Sequence, residues 1–232
     1  RMSREVSHYV VTAHPPGGVL HTVKCNFLAE DSEDVIIGKS RSLEVRQLRK
    51  SLKKSEDGEV LVGASSSASP FPVVLNAPIN GRITSLTAIQ LDSKPTSLLF
   101  VTTDQHQYAV IGYDPHLTPH YIRTYASGSL KDEWNQLGQL SECGPLVTID
   151  PYSRCIVLHL YDGLVTVFPI RNATAVAAGG GRASRDEKFL GMVFHARLEE
   201  RTVLAMTILH QTDPVDTPPH LCVLHQDSRG SQ

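Results

Sequence analysis

An all-β fold of repeated antiparallel blades is what this sequence predicts, and three observations predict it. A motif of apolar run, polar turn and second apolar run recurs about every sixty residues, starting near 34, 96, 154 and 219. The runs are four to eight residues long and rich in Val, Ile, Thr and aromatics, which suits a pleated, half-buried strand. The best-formed hairpin, "RCIVLHLYDGLVTVFPI" (154–170), is apolar on both faces, so it must be covered on both.

In chain order, strands are predicted at "YVVTAH" (9–14), "HTVKCNFL" (21–28) and across the hairpin "DVIIGKSRSLEVRQL" (34–48). They follow at "GRITSLTAIQL" (81–91), across "TSLLFVTTDQHQYAVIGYD" (96–114) and at "GPLVTID" (144–150). After the 154–170 hairpin come "FLGMVFHARL" (189–198), "TVLAMTILH" (202–210) and "PHLCVLHQDSRG" (219–230). Short strands at even spacing with little helical signal argue for propeller blades. Two segments read as inserted surface loops: 49–71, basic and then Ser/Ala-rich, and the Ala/Gly-rich 172–188. A short helical turn is predicted around Trp134, residues 1–8 as a disordered N-terminus, and 9–227 as about three and a half blades.

The third hairpin predicts its own register. Asp162-Gly163 is the dipeptide of a type I′ turn, whose two central residues both take positive φ. A two-residue loop then sets Tyr161 opposite Leu164, Leu160 opposite Val165, His159 opposite Thr166, Leu158 opposite Val167 and Val157 opposite Phe168. Asp150-Pro151 supplies the preceding turn, where proline removes no ladder hydrogen bond.

Composition narrows the function. The 232 residues suffice for one large domain or two small ones, burying about 70% of the unfolded surface. A net charge of −2 gives no general electrostatic footprint for nucleic acid or acidic membranes. No apolar run reaches the length of a membrane helix, and "RMSREVSHYV" lacks the apolar centre of a signal peptide. Residue 1 is Arg and Met2 follows, so the chain need not begin where translation begins. Cys25, Cys143, Cys155 and Cys222 form no CxxC pair and are read as reduced, buried thiols of a cytosolic or nuclear protein.

Candidate chemistry is thin. His159 and Tyr161 share a strand face, but catalysis would need a carboxylate partner and an open cleft; as structure, His159 needs only Thr166 or a backbone group. His116 and His120 have a four-residue spacing that ligates zinc on a helix, yet Pro115 and Pro119 make this stretch a loop. His220, Cys222 and His225 alternate as strand residues do. "GGGR" (179–182) lacks the rest of a phosphate loop, and no GxSxG or HExxH occurs. Arg41, Arg46, Arg49, Lys50, Lys53 and Lys54 form a basic run suited to phosphates or, with Leu43, Leu48 and Leu52, to an amphipathic helix. Glu56, Asp57 and Glu59 offset it, and the default is a solvated loop. Catalytic, cofactor and metal residues are therefore expected to be none, partner-contact residues are unassigned, and a binding or scaffold module is the better class.

The hairpin "IDPYSRCIVLHLYDGLVTVFPI" (149–170) resembles the corresponding hairpin of the damage-specific DNA-binding protein 1 family. "YVVTAHPP" (9–16), "DVIIGKSRSLEV" (34–45), "GRITSL" (81–86), "LLFVTTDQHQYAVIGYD" (98–114), "RLEERTV" (197–203) and "CVLHQDSRG" (222–230) follow the order of that family's first β-propeller. The wider superfamily includes the large cleavage-and-polyadenylation subunit and a splicing-factor 3b subunit; "LYDGL" and "RLEE" favour the damage-binding branch.

The resemblance implies a seven-bladed first propeller of a longer, three-propeller, non-catalytic adaptor of cullin-four ubiquitin ligases, without WD dipeptides; the single Trp134 is followed by Asn135. It implies substrate-receptor partners gripped by the first and third propellers, a cullin held by the second, at most indirect contact with nucleic acid, no membrane, no cofactor, and a nuclear and also cytoplasmic location. The stretches at 49–80 and 172–188 are longer than the family's connections, and 228–232 is read as a truncated end after a hairpin turn, leaving an open, aggregation-prone blade. The alternatives are a fragment of the RNA 3′-end-processing or splicing relative, or direct nucleic-acid binding through residues 41–54.

Overall fold

The computed structural model describes residues 18–47, 71–91, 94–131, 138–171, 190–199, 201–212 and 217–226. Among these, fourteen strands and no α-helix form three four-stranded antiparallel sheets and one two-stranded sheet. The first sheet contains β1 (His21–Cys25), β2 (Asp34–Gly38), β3 (Ser42–Gln47) and β4 (Val73–Pro78). The second contains β5 (Ile83–Ile89), β6 (Leu98–Thr103), β7 (Gln107–Tyr113) and β8 (Ile122–Ser129). The third contains β9 (Leu146–Ile149), β10 (Cys155–Tyr161), β11 (Leu164–Pro169) and β12 (Phe194–Arg197), and the fourth β13 (Thr202–Ile208) and β14 (Leu221–Gln226).

Each sheet is a meander in chain order, and the first strands β1, β5, β9 and β13 adjoin one another in succession. The sheets therefore radiate like blades from an inner ring of first strands. Period-two side-chain direction does the rest. In β6 all six residues are buried: Leu99 and Val101 point into the seam with the first blade, Leu98 and Phe100 into the seam with the third. β10 divides in the same way, with Ile156 and Leu158 facing the second blade and Val157 facing the fourth. Phe100, Tyr108 and Phe168 meet in the middle seam, with ring centroids 5.0–5.9 Å apart.

The structure corrects several details. Beyond Tyr161↔Leu164 the third hairpin pairs His159 with Val165, Leu158 with Thr166, Val157 with Val167 and Ile156 with Phe168, because a bulge at Leu160 shifts the register by one. A bulge inserts one residue opposite none and increases local twist. The turn is not type I′. Gly163 has φ +67°, whereas the described non-glycine residues with positive φ are His106, Tyr121 and Ser153, so Asp162 stays on the ordinary side.

Two strands escaped prediction. β4 and β8 are outermost, and their mixed sequences "VVLNAP" and "IRTYASGS" bury only part of one face. Arg41 precedes β3 and Arg46 lies in it, with Leu43 and Val45 in the core, so this part of the basic run is strand rather than helix or loop. The cysteines are free, but Cys143 and Cys222 are exposed and Cys25 and Cys155 half-buried. The strand at 9–14, the loops 49–70 and 172–188, the Trp134 turn and both termini lie outside the described residues.

Candidate interaction site

The two stretches most specific to the resemblance, 160–164 and the described part of "RLEE", 197–199, come together in space. β11 pairs with β12 so that Leu164 faces Arg197, and Leu198 N–H donates to the Gly163 carbonyl at 2.9 Å. On the other flank, Asp162 N–H donates to the Gln139 carbonyl at 2.8 Å, and the Tyr161 hydroxyl to the Leu130 carbonyl at 2.9 Å. The β10–β11 turn is thereby tied both to the connection before β9 and to the one after β12. Glycine takes the φ of +67° at 163 without the strain a side chain would meet there, and a Cβ would stand 3.4 Å from the Leu198 oxygen, an ordinary contact.

These ties frame a cleft of about 440 Å³ lined by Gln139, Asp162, Gly163, Arg197, Glu199 and Arg201. None of its four charged side chains joins an ion pair among the described residues. A polar cleft of mixed charge can hold a protein segment by hydrogen bonds and complementary charge. It supplies no nucleophile beside a base. Sequence reasoning missed Gln139, Arg197, Glu199 and Arg201 as lining residues, although "RLEE" had already stood out as a motif.

The residues singled out from sequence have other places. His159 is fully buried, and among the described residues neither ring nitrogen has a hydrogen-bond partner. The expected Thr166 partner is engaged elsewhere, because the bulge puts Thr166 opposite Leu158 and its hydroxyl pairs with His195 Nδ1 at 3.0 Å. Burial holds the His159 ring below its ordinary pKa, with the Asp162 charge opposing the shift. His116 and His120 sit exposed on the β7–β8 connection. Among the described residues no three of His, Cys, Asp and Glu converge as metal ligands. His220 Nδ1 accepts from the Gln211 amide at 2.9 Å, while Cys222 and His225 lie on exposed β14. Of the basic run, Arg46 is bound to buried Glu44 together with Lys39; Arg49, Lys50, Lys53, Lys54 and "GGGR" lie outside the described residues. Burial works against the charge of Glu44, but hydrogen bonds and charges from Lys39 and Arg46 outweigh it and keep the carboxyl below its ordinary pKa. Burial pushes the Cys25 thiol up to about 12 and the Cys155 thiol to about 11, in each case helped by a nearby aspartate.

The turn between β9 and β10 carries a second polar cluster. Asp150, whose side chain is inaccessible, accepts from Arg154 N and Nε at Oδ2 (3.1 and 2.8 Å) and from Nη2 at Oδ1 (2.9 Å). Arg154 also reaches Gln211 Oε1 at 3.0 Å and the Thr217 carbonyl at 2.7 Å on the β13–β14 connection. Burial opposes ionisation of Asp150, but the Arg154 bonds and charge overcome it and lower its pKa.

Radial sheets, cores in the seams and a polar cleft at the turns define a β-propeller scaffold. Residues 18–232 match the family model described as RSE1/DDB1/CPSF1 first beta-propeller, and the chain belongs to that family. It is 28% identical to DNA damage-binding protein 1a of Arabidopsis thaliana over 97% of its length and 29% identical to DNA damage-binding protein 1 of Solanum lycopersicum over 98%. Against DNA damage-binding protein 1 of Schizosaccharomyces pombe it is 27% identical over 95%. The chain spans 17–18% of the length of these relatives.

Proposed function

We propose that this chain is part of a non-catalytic adaptor subunit of a cullin-RING (cullin-four) ubiquitin ligase, serving protein ubiquitination in the DNA-damage response in the nucleus and also the cytoplasm. The observation that carries the reading is the family match over residues 18–232 together with relatives named for binding damaged DNA. Substrate receptors are the proposed partners, taken by complete propellers; the cullin contact belongs to regions beyond this chain. Contact with nucleic acid is proposed to be indirect: the net charge is −2, and Arg46 is already committed to Glu44.

The alternative is a subunit of an RNA 3′-end-processing or splicing complex, which the shared family description keeps in view. Affinity purification of the tagged full-length gene product from nuclear extract separates the two. Cullin and substrate receptors are the expected co-purifying proteins. Cleavage, polyadenylation or splicing subunits in their place overturn the reading.

A further inference from the structure

Among the described residues the fourth sheet consists of β13 and β14. Its apolar seam with the third blade is, among the described residues, smaller than the other two. Val157, Val165 and Ile208 are its buried centre, with Met206 and Leu221 partly covered, whereas the earlier seams bury Phe27, Phe100 and Phe168. Against that background the cluster on the β9–β10 turn is placed to act. One guanidinium grips the buried Asp150 carboxylate through two nitrogens and, in the same plane of donors, crosses to Gln211 Oε1 and the Thr217 carbonyl.

Both arms of the β13–β14 connection are clasped. Gln211 donates from its amide to the Pro218 carbonyl and to His220 Nδ1, closing the connection on itself. The Tyr152 hydroxyl donates to the Gln211 carbonyl at 2.5 Å, meets His210 Nε2 at 3.2 Å, and its ring lies 5.2 Å from the His210 ring. We infer that the Asp150–Arg154–Gln211 cluster is a latch holding β13–β14 on the third blade, and that this pair opens as one unit when the latch is broken. Opening uncovers the strip formed by Val157, Val165, Ile208 and Met206. Arg154 is the positioning residue of this device, because it bonds to Asp150, Gln211 and the Thr217 carbonyl together.

Amide hydrogen exchange of the whole chain at pH 7, read by mass spectrometry, tests the latch. Arg154→Ala is expected to speed exchange in 202–208 and 221–226 by about tenfold or more, leaving 98–103 and 107–113 at their original rates. Arg154→Lys, which keeps the charge but loses the fork, is expected to show the same selective loss. Equal acceleration of all four segments, or none, overturns the inference. Should Arg154→Ala fail to fold, Gln211→Ala leaves the Asp150–Arg154 pair intact and is read by the same criterion.

Discussion

Replacing His159 by leucine is expected to flatten the dependence of stability on pH in mild acid. The ring is fully buried and its two nitrogens have no partner among the described residues, so the folded state favours the neutral form. The folded pKa is therefore depressed below the 6.5 of a free histidine. An unfolded chain binds the proton more readily, so stability is fully present above 6.5 and falls as pH drops below it, until the folded pKa is reached. Going from pH 7.5 to 5.5 crosses the 6.5 of the unfolded histidine and removes stability through this one group, with a ceiling of about 1.4 kcal/mol for a ring kept neutral by the fold across that window. At this chain length that corresponds to roughly 3–5 °C in Tm. His21, also lowered by burial, contributes in the same direction and remains in the variant. Leucine has similar bulk and no polar atoms to desolvate, so the variant should be at least as stable as the parent at pH 7.5. Urea unfolding followed by circular dichroism at the two pH values supplies both numbers. A variant that keeps the full acid slope, or loses more than about 1 kcal/mol at pH 7.5, refutes the reasoning.

Gly163→Val is expected to cost about 1–3 kcal/mol, because a β-branched residue must take φ +67° beside the Leu198 carbonyl; an unchanged Tm counts against it. Phe168→Ala is expected to cost about 3–5 kcal/mol by emptying the aromatic centre of the middle seam, measured by urea unfolding. The Glu44 contribution to stability is present above its ordinary pKa of 4.5 and is lost as pH falls through its lowered folded value; Glu44→Gln should remove that acid limb from a pH titration of Tm. Iodoacetamide at pH 8 is expected to label exposed Cys143 and Cys222 well before Cys25 and Cys155, whose thiols stay protonated; peptide mass spectrometry reads the order.

The inner strands were legible because they are buried on both sides: β6 and β10 read as continuous apolar runs, and the spacing of the β2–β3, β6–β7 and β10–β11 hairpins exposed the repeat. Of the outer strands β12 was legible within "FLGMVFHARL", but β4 and β8 were not, since they bury little and carry Asn76, Pro78, Gly128 and serines that read as turns. The register failed by one residue because nothing in "HLYDGL" marks Leu160 as a bulge. The cleft brings Gln139, Asp162 and Arg201 together from three connections, and the latch joins Arg154 to Gln211 across two blades. The latch has no local motif, and "LYDGL" and "RLEE" do not by themselves show that they meet, because the proximity is made by the fold and not by spacing along the chain.

The apolar clusters lie between sheets and not within them. The second and third blades are thus each half of two interiors and owner of none. A substitution in one blade is felt by its immediate neighbours and fades beyond them, as in other repeat architectures whose units touch only nearest neighbours. Gln139, Asp162, Arg197, Glu199 and Arg201, which line the polar cleft, belong to none of these clusters. Such residues can be rewritten for a new partner while the seams stay as they are, so one set of blades can acquire a different binding end without being rebuilt.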